Sequence, residues 1–191
     1  LSLPRQKWVQ QMATRAGNPF DAIMLGHVVH SVAFFGSATL IVLAGIFTVF
    51  IRLDEIHSAI MDFHYIKETS RELFILTYTV LTAVLTICFF SFTYTLRKLL
   101  YSLALIGALP EQPDSKEQME ELVACTTTVI TESLKTFNFG IRGYYYAIAC
   151  IALFISPMVS IITTLVITIV LIYRQVSTPT SKAIKTFTDQ L

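Results

Sequence analysis

Charged residues are scarce in this sequence: they make up 14% of its 191 residues, whereas a typical soluble domain carries about 25%. Hydrophobic residues reach 54% and the mean hydropathy is +0.64. A soluble domain of this size would have too few charges for its surface. The composition excludes a disordered chain, and a net charge of only +1 excludes a nucleic-acid binder that depends on basic charge. The composition indicates a protein of the lipid bilayer.

Cysteine and catalytic motifs are equally sparse. Three cysteines without close spacing (Cys88, Cys125 and Cys150) exclude a disulfide scaffold, and we expect them to be small buried hydrophobes rather than redox or metal groups. The sequence has no Gly-rich phosphate loop, no His-Glu-x-x-His and no Cys-x-x-Cys. We therefore expect no enzyme, no metal site and no cofactor.

Acidic residues are missing from the long apolar runs beyond their first turns, which counts against proton-coupled transport. The first run, Ala22 to Ile51, has 30 residues without Asp, Glu, Lys or Arg, and a bilayer core needs about 20. With Pro19 suited to the first helical position, it predicts a span over about 19–51. The second run, Leu73 to Leu96, predicts a span over about 71–97, whose helix continues to Gly107.

A loop from Pro110 to Ser115 follows. Apolar residues then recur at helical spacing over 115–136, which predicts an amphipathic helix. This helix leads into apolar sequence without a break. The last apolar run, Gly143 to Tyr173, would measure about 46 Å as one helix, well beyond a core of about 30 Å. Two spans over 137–155 and 157–174 fit better, with Ser156 as the cap and Pro157 at the first helical position.

The distribution of basic residues favours four spans over three. Four spans place eleven Lys and Arg residues on one side and three on the other, whereas three spans place eight against six. We predict an all-α integral membrane bundle over 1–191 in a single domain, with both termini cytoplasmic; three spans remain the alternative. Two amphipathic surface helices complete it, a basic one over 4–16 on the inner side and one over Leu53–Tyr65 on the outer side.

One face of the first span favours helix packing or a partner interface. Its residues are mostly small and let helices approach closely in lipid: Gly26, His30, Ala33, Ser37, Leu40 and Ala44. A remote alternative is haem or pigment binding through His27 and His30, which lie near the inner end of the span, although His57 and His64 are predicted on the opposite side.

Two polar features of the other spans have open interpretations. Span two carries Thr79, Thr82, Thr86 and Thr93 on one broad face, either for transport or for bonding to helix carbonyls. Arg142 is flanked by Asn138, Gly140, Gly143 and tyrosines, and it either pairs with Glu132 or helix carbonyls or binds an anionic lipid or ligand. The candidate lipid, anion or polar site comprises Arg97, Asn138, Arg142 and Tyr145.

Several motifs resemble those of a bacterial membrane-protein family catalogued as domain of unknown function 599. They extend from about Trp8 to Arg174, and the most specific is Phe137-Asn-Phe-Gly-Ile-Arg-Gly-Tyr-Tyr145; the others are Phe34–Gly45, Ser70–Leu73, Leu96-Arg97, Ile106–Pro110 and Tyr173-Arg174. The chain departs from the family pattern at Ser91, where a Lys is expected, at Tyr94, where a Trp is expected, and at His27 and His30, where amides are expected. The resemblance implies the fold and a place in the bacterial inner membrane, and little about activity.

We therefore expect a non-enzymatic multi-pass protein of the bilayer, an accessory or structural subunit that binds other membrane proteins or itself, and no nucleic acid. The alternative is a small homo-oligomeric channel or transporter with a hydrated path lined by Thr82, Thr86 and Arg142.

Overall fold

A computed structural model describes residues 2–14, 19–52, 55, 71–110, 113 and 115–190. Over these ranges the chain is all-helical, as the sequence predicts, and strands are absent from them. The helices are α1 (Ser2–Thr14), α2 (Pro19–Ile51), α3 (Arg71–Gly107), α4 (Lys116–Leu153), α5 (Pro157–Val176) and α6 (Pro179–Asp189).

Three stretches of helix in the described ranges are long and apolar enough to cross a bilayer: Phe20–Ile51, Arg71–Gly107 and Pro157–Asp189. The last of these comprises α5 and the following α6. The chain is therefore a membrane protein by length and composition. Helix α4 is not among them, because the apolar C-terminal half of α4 is interrupted by Asn138 and Arg142. The number of spans, three or four, depends on that half-helix.

Local signals position the helix ends. Helix α2 begins at Pro19 and α3 continues to Gly107, as predicted. The backbone N–H of Val159 donates to the Ser156 side chain at 3.3 Å, so Ser156 caps α5 as predicted, with a proline in its first turn. The predicted amphipathic helix and third span form the single helix α4, since the sequence between them contains no residue that breaks a helix.

Helix α6 was not predicted. Its signal was present in the sequence, because the Thr178 side chain accepts a hydrogen bond from the Ser181 N–H at 3.3 Å and a proline follows it in the first turn. The predicted outer helix Leu53–Tyr65, together with His57 and His64, lies outside the described residues, apart from Glu55.

The core lies where α3 packs between α2 and α4. Val32 of α2 packs with Cys88 and Phe92 of α3, and Leu43 packs with Leu81 and Leu85, so α2 and α3 are antiparallel. Helix α4 runs antiparallel to α3 in turn, with the ring centroids of Phe74 and Phe154 5.1 Å apart near its end.

The basic helix predicted over 4–16 is present as α1 and packs on α4. Val9 is 0% exposed because it packs against Val123 and Ile130 in the N-terminal half of α4. The indole N–H of Trp8 donates to the Asp21 carboxylate at 2.7 Å, which ties α1 to the first turn of α2. Part of the apolar side of α1 therefore packs on α4, and its position relative to the membrane surface stays a prediction.

Candidate functional site

The motif from Phe137 to Tyr145 lies on α4 and presents one face to α3. A Cβ built at Gly140 would lie 2.7 Å from Cε1 of Phe92, and one built at Gly143 would lie closer still to Sγ of Cys88. Both distances are too short for a side chain. The two glycines therefore permit the close approach of α3 and α4, as the sequence predicts for helices packed in lipid.

An aromatic cluster closes this interface. The ring of Phe92 stacks on Phe35 with centroids 5.7 Å apart and on Tyr144 with centroids 5.6 Å apart. Phe137 packs on Phe92 at 5.8 Å between centroids. The Tyr144 hydroxyl meets the Thr39 hydroxyl of α2, so its polar end is hydrogen-bonded within the bundle. This face of the motif is structural.

The other face of the motif borders a cleft of about 320 Å³ between α4 and α5, which we call the α4–α5 cleft. A guanidinium nitrogen of Arg142 donates to the side-chain oxygen of Gln175 at 3.0 Å. A guanidinium nitrogen of Arg174 lies 3.5 Å from the Tyr145 hydroxyl, at the outer limit of a hydrogen bond. The cleft is lined by Asn138, Ile141, Arg142, Tyr145, Leu171, Arg174 and Gln175.

Carboxylates do not contribute to the cleft lining. The sequence offered Glu132 as a partner of Arg142, but the Glu132 carboxylate accepts a hydrogen bond from Lys135 at 2.7 Å instead. That hydrogen bond and the charge of Lys135 lower the pKa of Glu132 below its ordinary value. Glu132 lies nearly three turns from Arg142 on the same helix, whereas Lys135 lies only three residues from Glu132 and is therefore the closer partner. Two arginines thus line one cleft with neutral hydrogen-bond partners.

Arg97 is separate from the other residues proposed for this site. Its Nε donates to the Tyr101 hydroxyl at 2.7 Å on the exposed surface of α3, and it does not line the cleft. Asn138, Arg142 and Tyr145 are brought together as predicted. Sequence reasoning missed Arg174 and Gln175 as their neighbours, although the Tyr173-Arg174 pair after an apolar run marks the end of a span.

The threonine face of α3 does not form a common path with Arg142. Thr82 donates to the Tyr78 carbonyl and Thr86 to the Thr82 carbonyl, both at 2.8 Å, so these hydroxyls bond to their own helix. They line an apolar groove of about 470 Å³ between α2 and α3, whereas Arg142 lines the α4–α5 cleft. Within one chain these three side chains therefore do not line a common cavity among the described residues, and a path between copies of the chain stays a prediction.

The small-residue face of α2 points away from the core. Residues Gly26, His30, Ser37 and Ala44 are exposed, and Ala33 is half-buried. The core is contacted by a different face, which carries Leu25, Val32, Gly36, Thr39 and Leu43. The small residues were predicted to form a helix-packing or partner interface; within the chain Gly26 does not pack on another helix, since an added Cβ would meet nothing within 4 Å, and the partner interface stays a prediction. Larger Val, Leu and Phe side chains fill the space towards α3 better, because the bundle core excludes voids.

His27 and His30 are both exposed on α2. The other two histidines, His57 and His64, which were predicted on the opposite side, lie outside the described residues. The structure therefore places the two histidines on the outer surface of the bundle, where they are open to lipid or to a neighbouring protein.

Comparison with known proteins identifies the family of the chain. The sequence model of the family described as "Protein of unknown function, DUF599" matches residues 2–180, which covers nearly the whole chain. No curated protein and no solved structure matches the chain.

Proposed function

Because the chain belongs to the DUF599 family, whose description names no activity, we propose a function from its own surfaces: it is a non-enzymatic accessory or structural subunit that binds another membrane protein along α2. The observation that carries this proposal is the outward face of α2, defined by Gly26, His30, Ala33, Ser37 and Ala44 and called the α2 face. Four of these five residues are exposed.

The chemistry of the α2 face suits a helix rather than lipid. Small residues let a second backbone approach closely, and an imidazole or hydroxyl in the apolar core can hydrogen-bond to a neighbouring protein but not to a lipid tail. His30 lies eleven residues after Pro19, about 16 Å along the helix and inside a core of about 30 Å. A second membrane protein that packs here would satisfy His30 and Ser37 and fill the space beside Gly26.

We further propose four spans, with both termini on the cytoplasmic side of a bacterial inner membrane. The C-terminal half of α4 supports the fourth span because it lies beside α3, from Phe92 to Phe74, and beside α5. Both α3 and α5 belong to stretches that are apolar enough to cross a bilayer. Arg142 then lies near the end of its span, where an arginine costs less than at the bilayer centre. The division of eleven basic residues against three supports the same orientation.

Native extraction in mild detergent tests the subunit proposal. We expect the full chain to migrate in a complex heavier than its own 21.5 kDa and to co-purify with at least one other membrane protein. The double variant Ser37→Leu with Ala44→Leu should lower the amount of that partner about tenfold, because two leucines block close helix approach. The matched control is Val42→Leu, which adds bulk at another exposed position of α2.

A complex that contains only copies of this chain would contradict the accessory role and would favour the homo-oligomeric channel, for which ion flux in liposomes is the next measurement. Equal loss of the partner in the Val42→Leu control would show that bulk anywhere on α2 disrupts the complex, and the α2 face would then not be the interface.

A further inference from the structure

Two guanidinium groups face one cleft at the end of α5. Arg142 comes from α4 and Arg174 from the last turn of α5, and both are exposed. Neither arginine forms an ion pair with another described residue; their hydrogen bonds go to the Gln175 amide oxygen and the Tyr145 hydroxyl. Two positive charges thus line one cleft, and none of the described residues supplies an anion to neutralise them.

The donors of these arginines are only partly used. A guanidinium has five N–H donors in a planar fork that matches a phosphate or carboxylate. The described hydrogen bonds use one nitrogen of each group, and the one from Arg174 to Tyr145 is long at 3.5 Å. The remaining donors are available to an anion that enters the cleft.

The position along α5 indicates the source of such an anion. The apolar stretch of α5 begins at Met158 and ends at Tyr173, so Arg174 lies where the helix leaves the hydrocarbon core, whether the chain has three spans or four. Helix α6 follows directly and is amphipathic, with Lys182 and Lys185 on one side and Ile184 and Phe187 on the other. An exposed Phe187 suits a helix that lies at the headgroup level.

We propose that Arg142 and Arg174 bind the phosphate group of an anionic phospholipid in the α4–α5 cleft, with the headgroup in the cleft and the acyl chains along α5. The Asn138 side chain, which lines the same cleft, is placed to donate to the headgroup. Helix α5 has no buried residue, so its surface is open to acyl chains. This site differs from the α2 face and does not depend on the proposed partner.

Lipid binding by the purified full chain tests this site. The probes are phosphatidylglycerol and phosphatidylcholine, titrated onto detergent-solubilised protein and counted by native mass spectrometry. We expect phosphatidylglycerol to bind more tightly than phosphatidylcholine. Arg142→Gln and Arg174→Gln should each weaken phosphatidylglycerol binding about fivefold, which corresponds to one interfacial arginine. Arg142→Lys should weaken it less, because the charge remains.

The matched control is Arg97→Gln, which removes an exposed arginine outside the cleft and should change phosphatidylglycerol binding less than twofold. Circular dichroism of every variant checks that the helices persist. Inorganic phosphate is a second probe that distinguishes a lipid headgroup from a soluble ligand. If the wild type binds phosphate, the Arg142→Gln/Arg174→Gln variant does not, and phosphatidylglycerol binds no better than phosphatidylcholine, the cleft is a phosphate site for a soluble ligand and the lipid assignment is wrong.

Equal phosphatidylglycerol binding in the wild type and in the folded Arg142→Gln/Arg174→Gln variant would overturn the proposal. An equal loss in Arg97→Gln would also overturn it, because general surface charge would then explain the binding. Neither result bears on the accessory-subunit proposal, which is measured by partner recovery after changes on α2.

Discussion

Helix α4 has two interfaces of opposite character. Towards α3 it places Gly140 and Gly143 directly against Phe92 and Cys88, with too little room for a methyl group at either glycine. Towards α5 it forms polar contacts, and no described residue of α5 is buried. The same short motif therefore supplies a close-packed core on one side and an open cleft on the other.

The difference separates structural from functional residues within one motif. Membrane helices associate through close packing and hydrogen bonds, because lipid tails are as apolar as the side chains that they replace. The α3 interface uses close packing, and we expect changes there to lower the free energy of unfolding. The α5 interface leaves space and charge exposed, and we expect changes there to alter binding more than stability.

The largest expected effect is at the centre of the α3 interface. Phe92→Ala removes a ring that is 0% exposed and packs on Phe35, Phe137 and Tyr144. The resulting cavity should lower the free energy of unfolding by about 3 kcal/mol, the lower end of the range for such changes. Thermal or denaturant unfolding in detergent measures the loss. A change below about 1 kcal/mol would show that α3 and α4 are not tightly packed.

A smaller loss is expected from the glycine that faces this ring. In Gly140→Ala the new methyl group would meet the Phe92 ring at 2.7 Å, and the ring is fixed by its aromatic neighbours. Overpacking of this kind costs about 1–3 kcal/mol. Gly45→Ala is the control, because nothing lies within 4 Å of its added Cβ. Equal stability of the two variants, measured by the same unfolding assay, would contradict the close approach of the helices.

The smallest effect is expected at the α5 interface. The Ser160 hydroxyl donates to the Ala149 carbonyl of α4 at 2.9 Å. Ser160→Ala should lower the free energy of unfolding by about 0.6 kcal/mol, the average for hydrogen bonds between membrane helices. Thr164→Val is the control, because its hydroxyl bonds to the Ser160 carbonyl within α5. A loss in Ser160→Ala as large as in Phe92→Ala would remove the contrast between the two interfaces.

Helices and their ends could be predicted from the sequence to a large extent. Pro19, Ser156 and Pro157 position helix starts through local backbone chemistry, which does not require distant contacts. Helix α6 was missed although Thr178 and Pro179 carry the same kind of signal. Asn138 and Tyr145 were assigned with Arg142 and Arg97 to one candidate site because polar and aromatic residues flank Arg142 in the sequence.

Residues from different helices could not be placed together in this way. Small residues on α2 suggested helix packing or a partner interface, without saying which, and the bundle itself uses the face with Val32, Thr39 and Leu43. Hydropathy does not distinguish these two faces of α2, since a membrane helix is apolar on the side of the lipid as well as on the side of the protein. For the same reason the sequence did not pair Arg142 with Gln175 or separate Arg97 from the site.

The sequence by itself determined that this is an all-helical membrane protein, where its long apolar helices start, and that Arg142 lies among glycines and tyrosines. These properties depend on composition and on contacts between near neighbours in the chain. Only the tertiary structure decided that Gly140 and Gly143 meet Phe92 and Cys88, that α1 packs on α4, and that Arg174 shares a cleft with Arg142. Those arrangements depend on the rotation and depth of one helix against another, which packing between distant residues sets.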